Sequence, residues 1–224
     1  MTPEQQTLLQ NLTDYLQEQT GQAITITDAK PLAGGASRDT WRFTVQQADE
    51  KHQYVMRRDL PTQMFEEALT REQEFRMMDA AYKSGVKVAP VRYLCTDESI
   101  LGSPFFIMDY VPGISIGRKV VTLPELAQAR QKLPGQMAQE LAAIHALDYA
   151  AHNLDFLRMP TEGKSAAETV LDETYTILDE LGVQNPVWEW ALRWAQTHMP
   201  PPNQLTFVHG DFRIGNLLVD EDGL

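Results

Sequence analysis

Near its carboxyl end the sequence reads LTFVHGDFRIGNLLVD, where His209, Asp211 and Asn216 stand in the pattern H-x-D-x-x-x-x-N. A carboxylate and an amide at that spacing suit transfer of a phosphoryl group. The carboxylate of Asp211 orients an attacking hydroxyl in line with a terminal phosphate. It takes the proton only late, because the transition state is loose. The amide oxygen of Asn216 can coordinate the magnesium ion that neutralises the phosphates. Three fixed residues at this spacing arise by chance in about one chain per hundred of this length. Their place between LTFV and LLVD, both read as strands, makes coincidence rarer. A polar turn with a structural histidine is the bland alternative. A metal-dependent hydrolase using His209 and Asp211 is weaker, because no second His-rich cluster accompanies them.

Elements must exist to position that loop. TPEQQTLLQNLTDYLQEQTG predicts an amphipathic helix, with Thr2 as cap, Pro3 at the first position and Gln5 completing a capping box. Leu8, Leu9, Leu12, Tyr15 and Leu16 share one face, and Gly21 stops it. Strands are expected at AITITDA, DTWRFTV and QYVMRR, then a helix over residues 64–83, then strands at APVRYLC and PFFIMDYV. Beyond Pro112-Gly113 the pattern turns helical. LPELAQARQKL and GQMAQELAAIHALD read as two helices broken by Pro134, followed by GKSAAETVLDETYTILDELG and NPVWEWALRWAQTHM. His145 reads as a core residue, and Trp188, Trp190 and Trp194 read as packing. The division is residues 1–22 as a leading helix, 23–112 as a strand-rich unit and 113–224 as a helical unit.

Composition narrows the partners. The chain has 224 residues, 43% hydrophobic and 22% charged, which are ordinary globular values. A formal charge of -12 argues against binding a nucleic-acid backbone. Cys95 is the only cysteine, so a reducing compartment fits. No apolar run approaches a membrane span and no signal peptide opens the chain, so the expectation is a cytoplasmic protein.

H-x-D-x-x-x-x-N is close to the protein-kinase catalytic loop H-R-D-x-x-x-x-N. HGDFRIGNLLVD resembles more closely the catalytic loop of the aminoglycoside phosphotransferase family, small-molecule kinases related in fold to protein kinases. Together with LAAIHALD it looks most like the subgroup linked to acyl-CoA dehydrogenases, which is implicated in phosphorylating hydroxyacyl substrates. The resemblance runs from about Ala23 onward. It implies an α+β fold of two lobes, an antiparallel-sheet N-lobe and a helical C-lobe. It implies ATP and Mg2+ as cofactors and a small-molecule hydroxyl as acceptor.

Such a fold predicts further parts in order. LAGGASRDTWRF sits where a phosphate-covering loop is expected, with Gly34, Gly35 and Ser37 approaching phosphate. In YVMR, alternation puts Val55 and Arg57 on one face, so Arg57 can grip phosphate as a planar fork. The position commonly holds Lys; here it is Arg. TREQEFRMM offers Glu72 and Glu74 as partners for Arg57, and the resemblance favours Glu74. PFFIMDYVPG reads as the hinge, with adenine pairing to backbone near Met108 and Tyr110. Arg213 is expected to hold the substrate or a phosphate oxygen.

Family members continue past LLVDEDGL into a returning strand that carries a second metal-binding aspartate. The expectation is therefore an amino-terminal portion with a truncated C-lobe, an unpaired edge at residues 217–219 and weak catalysis. The competing reading is a catalytically impaired module that binds nucleotide.

Overall fold

The computed structural model describes residues 1–32, 38–59, 69–201 and 204–224. Helix α1 (Pro3–Thr20) forms as its sequence predicts. The Gln5 N–H donates to the Thr2 hydroxyl, the Thr2 N–H donates to the Gln5 side chain, and Pro3 sits where no N–H is needed. Strands β1 (Thr25–Pro31), β2 (Arg38–Gln47), β3 (Glu50–Asp59), β4 (Val91–Cys95) and β5 (Phe105–Asp109) make one antiparallel sheet in the order β1-β2-β3-β5-β4. The β2–β3 hairpin runs from Arg38↔Asp59 to Gln47↔Glu50, so its turn is tighter than the polar run QQADEKH suggests.

Helix α2 (Arg71–Lys83) lies between β3 and β4 in the chain. Its expected start near residue 64 falls among residues outside the described set, and Leu69 and Thr70 are not helical. Thr70 is a cap: the Gln73 N–H donates to its hydroxyl, and its own N–H donates to the Gln73 side chain. A capping box in TREQ thus ends the upstream reading of this helix. The short α3 (Glu98–Leu101) fills the turn between β4 and β5.

Alternate strand residues go to opposite faces of the sheet. Trp41, Phe43, Met56, Phe105 and Ile107 join Leu8, Leu12, Tyr15 and Leu16 of α1 in the main core. Tyr15 ties the two layers together. Its hydroxyl donates to the Leu94 carbonyl at 3.2 Å, and its ring stands edge-on to Phe105 at 5.1 Å. On the other face, Arg57 and Phe106 are register partners, and Phe75 of α2 packs edge-on against Phe106.

Helices follow β5: α4 (Gly117–Thr122), a 3-10 turn at Pro124–Leu126, α5 (Ala127–His145), α6 (Ala166–Glu180) and α7 (Pro186–Thr197). The predicted break at Pro134 is absent, because α5 runs through it. Leu126, Ala129 and Leu133 are buried in one cluster with Val120 and Val219, and Arg130 donates to the carbonyls of Val120 and Leu123. That anchoring outweighs the one hydrogen bond a proline removes. His145 is exposed at the end of α5 and is not a core residue. The tryptophans of α7 also depart from expectation: Trp188, Trp190 and Trp194 are 54%, 70% and 54% exposed. Leu192 is the buried residue of α7, and the helical period sets Trp190 and Trp194 on the side opposite it.

Candidate active site

The segment 209–216 is held from both sides. Downstream, Val219 is fully buried in the cluster of Val120, Leu126, Ala129 and Leu133. It exchanges two backbone hydrogen bonds with Ile114, at 2.8 and 3.1 Å. Gly113 permits that approach, since a Cβ there would stand 2.8 Å from the Cβ of Leu218. The expected unpaired edge at 217–219 is therefore corrected: Val219 is paired and covered. Asp220 bridges Gly223 across the Asp222-Gly223 turn. Upstream, residues 205–208 are not a strand, and Leu205 and Val208 are 42% and 61% exposed. An apolar run becomes a strand only where a ladder partner meets it. Phe207 does anchor the run, against the cluster of Ala80, Leu147 and Leu154.

Within the loop, Asp211 and Asn216 meet, and Arg213 joins them on the Asp211 carboxylate. Asn216 Nδ2 donates to both the main-chain oxygen and the carboxylate of Asp211, each at 2.8 Å. The 3-10 turn Ile214–Asn216 sets this up, with the Asn216 N–H closing on the Arg213 carbonyl. Arg213 Nε lies 3.0 Å from both carboxylate oxygens. Gly215 leaves room for it, because a Cβ there would meet the guanidinium of Arg213. The Asn216 amide, and after it the Arg213 guanidinium, hold the Asp211 carboxyl below the usual aspartate range. A carboxylate so stabilised is a poor base in the ground state. His209 supports the loop from behind: its Nδ1 accepts from the Asp211 N–H at 3.3 Å, and its ring stands edge-on to Phe212.

The expected cation and its partner also meet. Arg57 Nη1 pairs with Glu74 Oε1, while Glu72 is exposed, so the structure chooses Glu74 as the resemblance does. Sequence reasoning missed the neighbour on the other oxygen. Arg71 Nη1 pairs with Glu74 Oε2, Arg71 Nη2 donates to the Leu69 carbonyl at 3.0 Å, and Arg71 Nε lies 2.9 Å from Asp59 Oδ1. The angle of that last contact makes it an ion pair without a hydrogen bond. The signal available was the three-residue spacing of Arg71 and Glu74 behind a capping threonine.

Other expected positions are distributed as follows. Gly34, Gly35 and Ser37 lie outside the described residues. Met108 is paired to Val55 on one side and Val91 on the other, and Tyr110 lies under Arg42 at 4.7 Å. The N–H groups of Asp109 and Tyr110 donate to Pro90 and Gln53, each at 2.9 Å. A cavity of about 280 Å³, lined by Met77, Met78, Ile144, Phe207 and Phe212, adjoins His209 and Asn216. Larger hollows of about 780 and 640 Å³ carry none of the site residues.

The donors present fit a magnesium ion shared with phosphates. Both hydrogen bonds of the Asn216 side chain use Nδ2, leaving Oδ1 as an oxygen donor beside the Asp211 carboxylate. Magnesium needs only one or two such protein ligands when phosphate and water complete its shell.

Comparison with known proteins decides the family. The profile described as the phosphotransferase enzyme family, APH, matches residues 28–224. The chain belongs to this family. Among relatives, acyl-CoA dehydrogenase family member 10 of Mus musculus is 34% identical over 167 residues, which is 74% of this chain and 15% of that protein. Among solved structures, a Ralstonia eutropha JMP134 protein described as a candidate aminoglycoside phosphotransferase superposes with a TM-score of 0.68 at 25% identity, covering 93% of this chain and 59% of that one. Spectinomycin phosphotransferase, solved with ADP and spectinomycin, shares the fold at a TM-score of 0.52 and 12% identity, over 94% of this chain and 65% of that one. The sheet-then-helix architecture of this phosphotransferase family member is thus the kinase-like one of its neighbours.

Proposed function

We propose that the chain transfers the γ-phosphate of ATP to a hydroxyl of a small molecule, with a hydroxyacyl compound as the leading acceptor class. The observation that carries this reading is the convergence of Asn216 and Arg213 on the Asp211 carboxylate at 2.8–3.0 Å. In the proposed step the acceptor oxygen attacks the γ-phosphorus as the bond to the β-bridging oxygen breaks, releasing ADP. Asp211 orients the hydroxyl and accepts its proton late. Arg57, steadied by Glu74, grips the phosphates, and Arg213 binds a phosphate oxygen or the acceptor. Magnesium, held through Asn216, would supply neutralisation of phosphate charge. The acceptor class is supported by the name of the mouse relative, of which the chain spans only 15%. A cytoplasmic setting is supported by the lone, buried thiol of Cys95.

A second reading, a module that binds nucleotide with little turnover, draws on one observation. The Asp211 carboxylate is engaged by Asn216 Nδ2 at 2.8 Å and by Arg213 Nε at 3.0 Å, which makes it a poor proton acceptor. Calorimetry of ATP binding with and without magnesium, together with transfer of labelled γ-phosphate to a panel of hydroxyacyl thioesters, sugars and amino alcohols, separates the two. Transfer that is lost in Asp211→Asn supports the phosphotransferase. Binding that ignores magnesium and survives Asn216→Ala, with no labelled product, supports the module.

A further inference from the structure

We infer that Arg71 is a positioning residue, acting through Glu74 to set where the guanidinium of Arg57 stands. The inference rests on the phosphotransferase reading for its purpose and on geometry for its substance. Arg71 is 0% exposed, the largest fully buried side chain among the described residues. Burying a guanidinium costs several kcal/mol before its partners repay it, and an apolar residue of similar volume often does better. Arg71 is also the first residue of α2, where the positive end of the helix dipole disfavours a cation. Helix formation there does not need it, because Thr70 and Gln73 already cap the end. A residue placed against both of these costs is explained by what it touches.

What it touches is the other half of the Arg57 pair. Glu74 is 8% exposed and presents one oxygen to Arg57 and the second to Arg71. Among the described residues, two guanidiniums thus hold the carboxylate plane, one on each oxygen. Arg71 is itself fixed in two further directions, by Asp59 at the end of β3 and by the Leu69 carbonyl. Position, not net charge, is what Arg71 supplies. It brings its own counter-charge in Asp59, so it fixes the orientation of the Glu74 carboxylate without adding charge to the network. Lysine cannot replace Arg71 in this role, because one ammonium cannot serve three directions with a rigid plane.

The test has an arm that needs no nucleotide. In the full chain, the Arg57 Nε–H resonance, assigned by its loss in Arg57→Lys, should be resolved in the parent. In Arg71→Lys it should shift and broaden, with Arg92→Lys as the control. Calorimetry should then show ATP with magnesium binding about tenfold more weakly in Arg71→Lys. In an Arg57→Met background the same change should add nothing. An unmoved Arg57 resonance in folded Arg71→Lys overturns the inference whatever the nucleotide data say. Equal, additive losses in both backgrounds also overturn it, because they mean Arg71 acts only on the fold. A moved resonance in a protein whose parent binds no nucleotide supports the coupling and instead removes the phosphotransferase reading. Should Arg71→Lys fail to fold, Asp59→Asn loosens Arg71 from the other side and is read by the same resonance and the same outcomes.

Discussion

Replacing Glu74 with Gln is the sharpest probe of the buried charge network. The change is nearly isosteric, so packing is kept while the anion that Arg57 and Arg71 share is removed. The side chains of Arg71, Glu74 and Arg57 are 0%, 8% and 26% exposed, so little water is available to compensate. Removing one partner of a buried pair costs about 3–5 kcal/mol. Asp59 still pairs with Arg71, and Arg57 is partly screened, which argues for the lower end, about 3 kcal/mol. For a domain of this size each kcal/mol lowers Tm by roughly 2–4 °C, so a fall of roughly 6–12 °C is expected. Urea denaturation followed by circular dichroism measures the free energy, and a thermal melt measures Tm. Glu72→Gln is the control: that side chain is exposed in the first turn, and its loss should cost no more than about 0.5 kcal/mol. Equal effects of the two substitutions, or a Glu74→Gln loss below about 1 kcal/mol, would refute the assignment of Glu74 as a shared buried carboxylate.

Other outcomes follow from the same geometry. Asn216→Ala should lower magnesium-dependent phosphoryl transfer by roughly 10²-fold or more while ATP affinity without magnesium is kept, as labelled-phosphate assays and calorimetry will show. Asp211 should titrate below the ordinary aspartate range in carbon-detected NMR. Because its folded pKa is depressed, whatever stability it contributes is present above the unfolded value and is lost as pH falls through the folded one. Asn216→Ala should raise the midpoint more than Arg213→Met does, since the Asn216 bond is the larger cause. Tyr15, whose pKa burial pushes up to about 12, should leave stability untouched below the unfolded value of 10.0 and erode it as pH rises from there through about 12. Tyr15→Phe should remove that alkaline loss in denaturation curves. Leu12→Ala, at a fully buried position of α1, should cost about 3 kcal/mol by the same denaturation assay.

Much of this was legible from residue types alone. Thr2, Pro3 and Gln5 act on their own backbone, so α1 could be read without knowing its partners. The same locality made His209 through Asn216 readable: one short loop brings Asp211 and Asn216 together. The misreadings share a cause of the opposite kind. Pro134 looked like a break because the forces that override it come from Val120, Leu123 and Val219, which are remote or adjacent only through folding. LTFV looked like a strand although no ladder among the described residues meets it, and LLVD looked unpartnered although Ile114, about a hundred residues earlier in the chain, pairs with it. Arg71 was passed over because an arginine within an expected helix is ordinarily a solvated charge, and only tertiary structure shows that it is buried.

The exposure of the α7 tryptophans divides the molecule optically. Trp41 is 3% exposed in the sheet, whereas Trp188, Trp190 and Trp194 face solvent. Steady emission will therefore be dominated by red-shifted indoles on one helix, with Trp41 the lone blue-shifted reporter of the core. A melt followed at the red edge will track fraying of that helix. Only the blue edge, or a Trp41→Phe difference, will time the collapse of the sheet that carries Arg57.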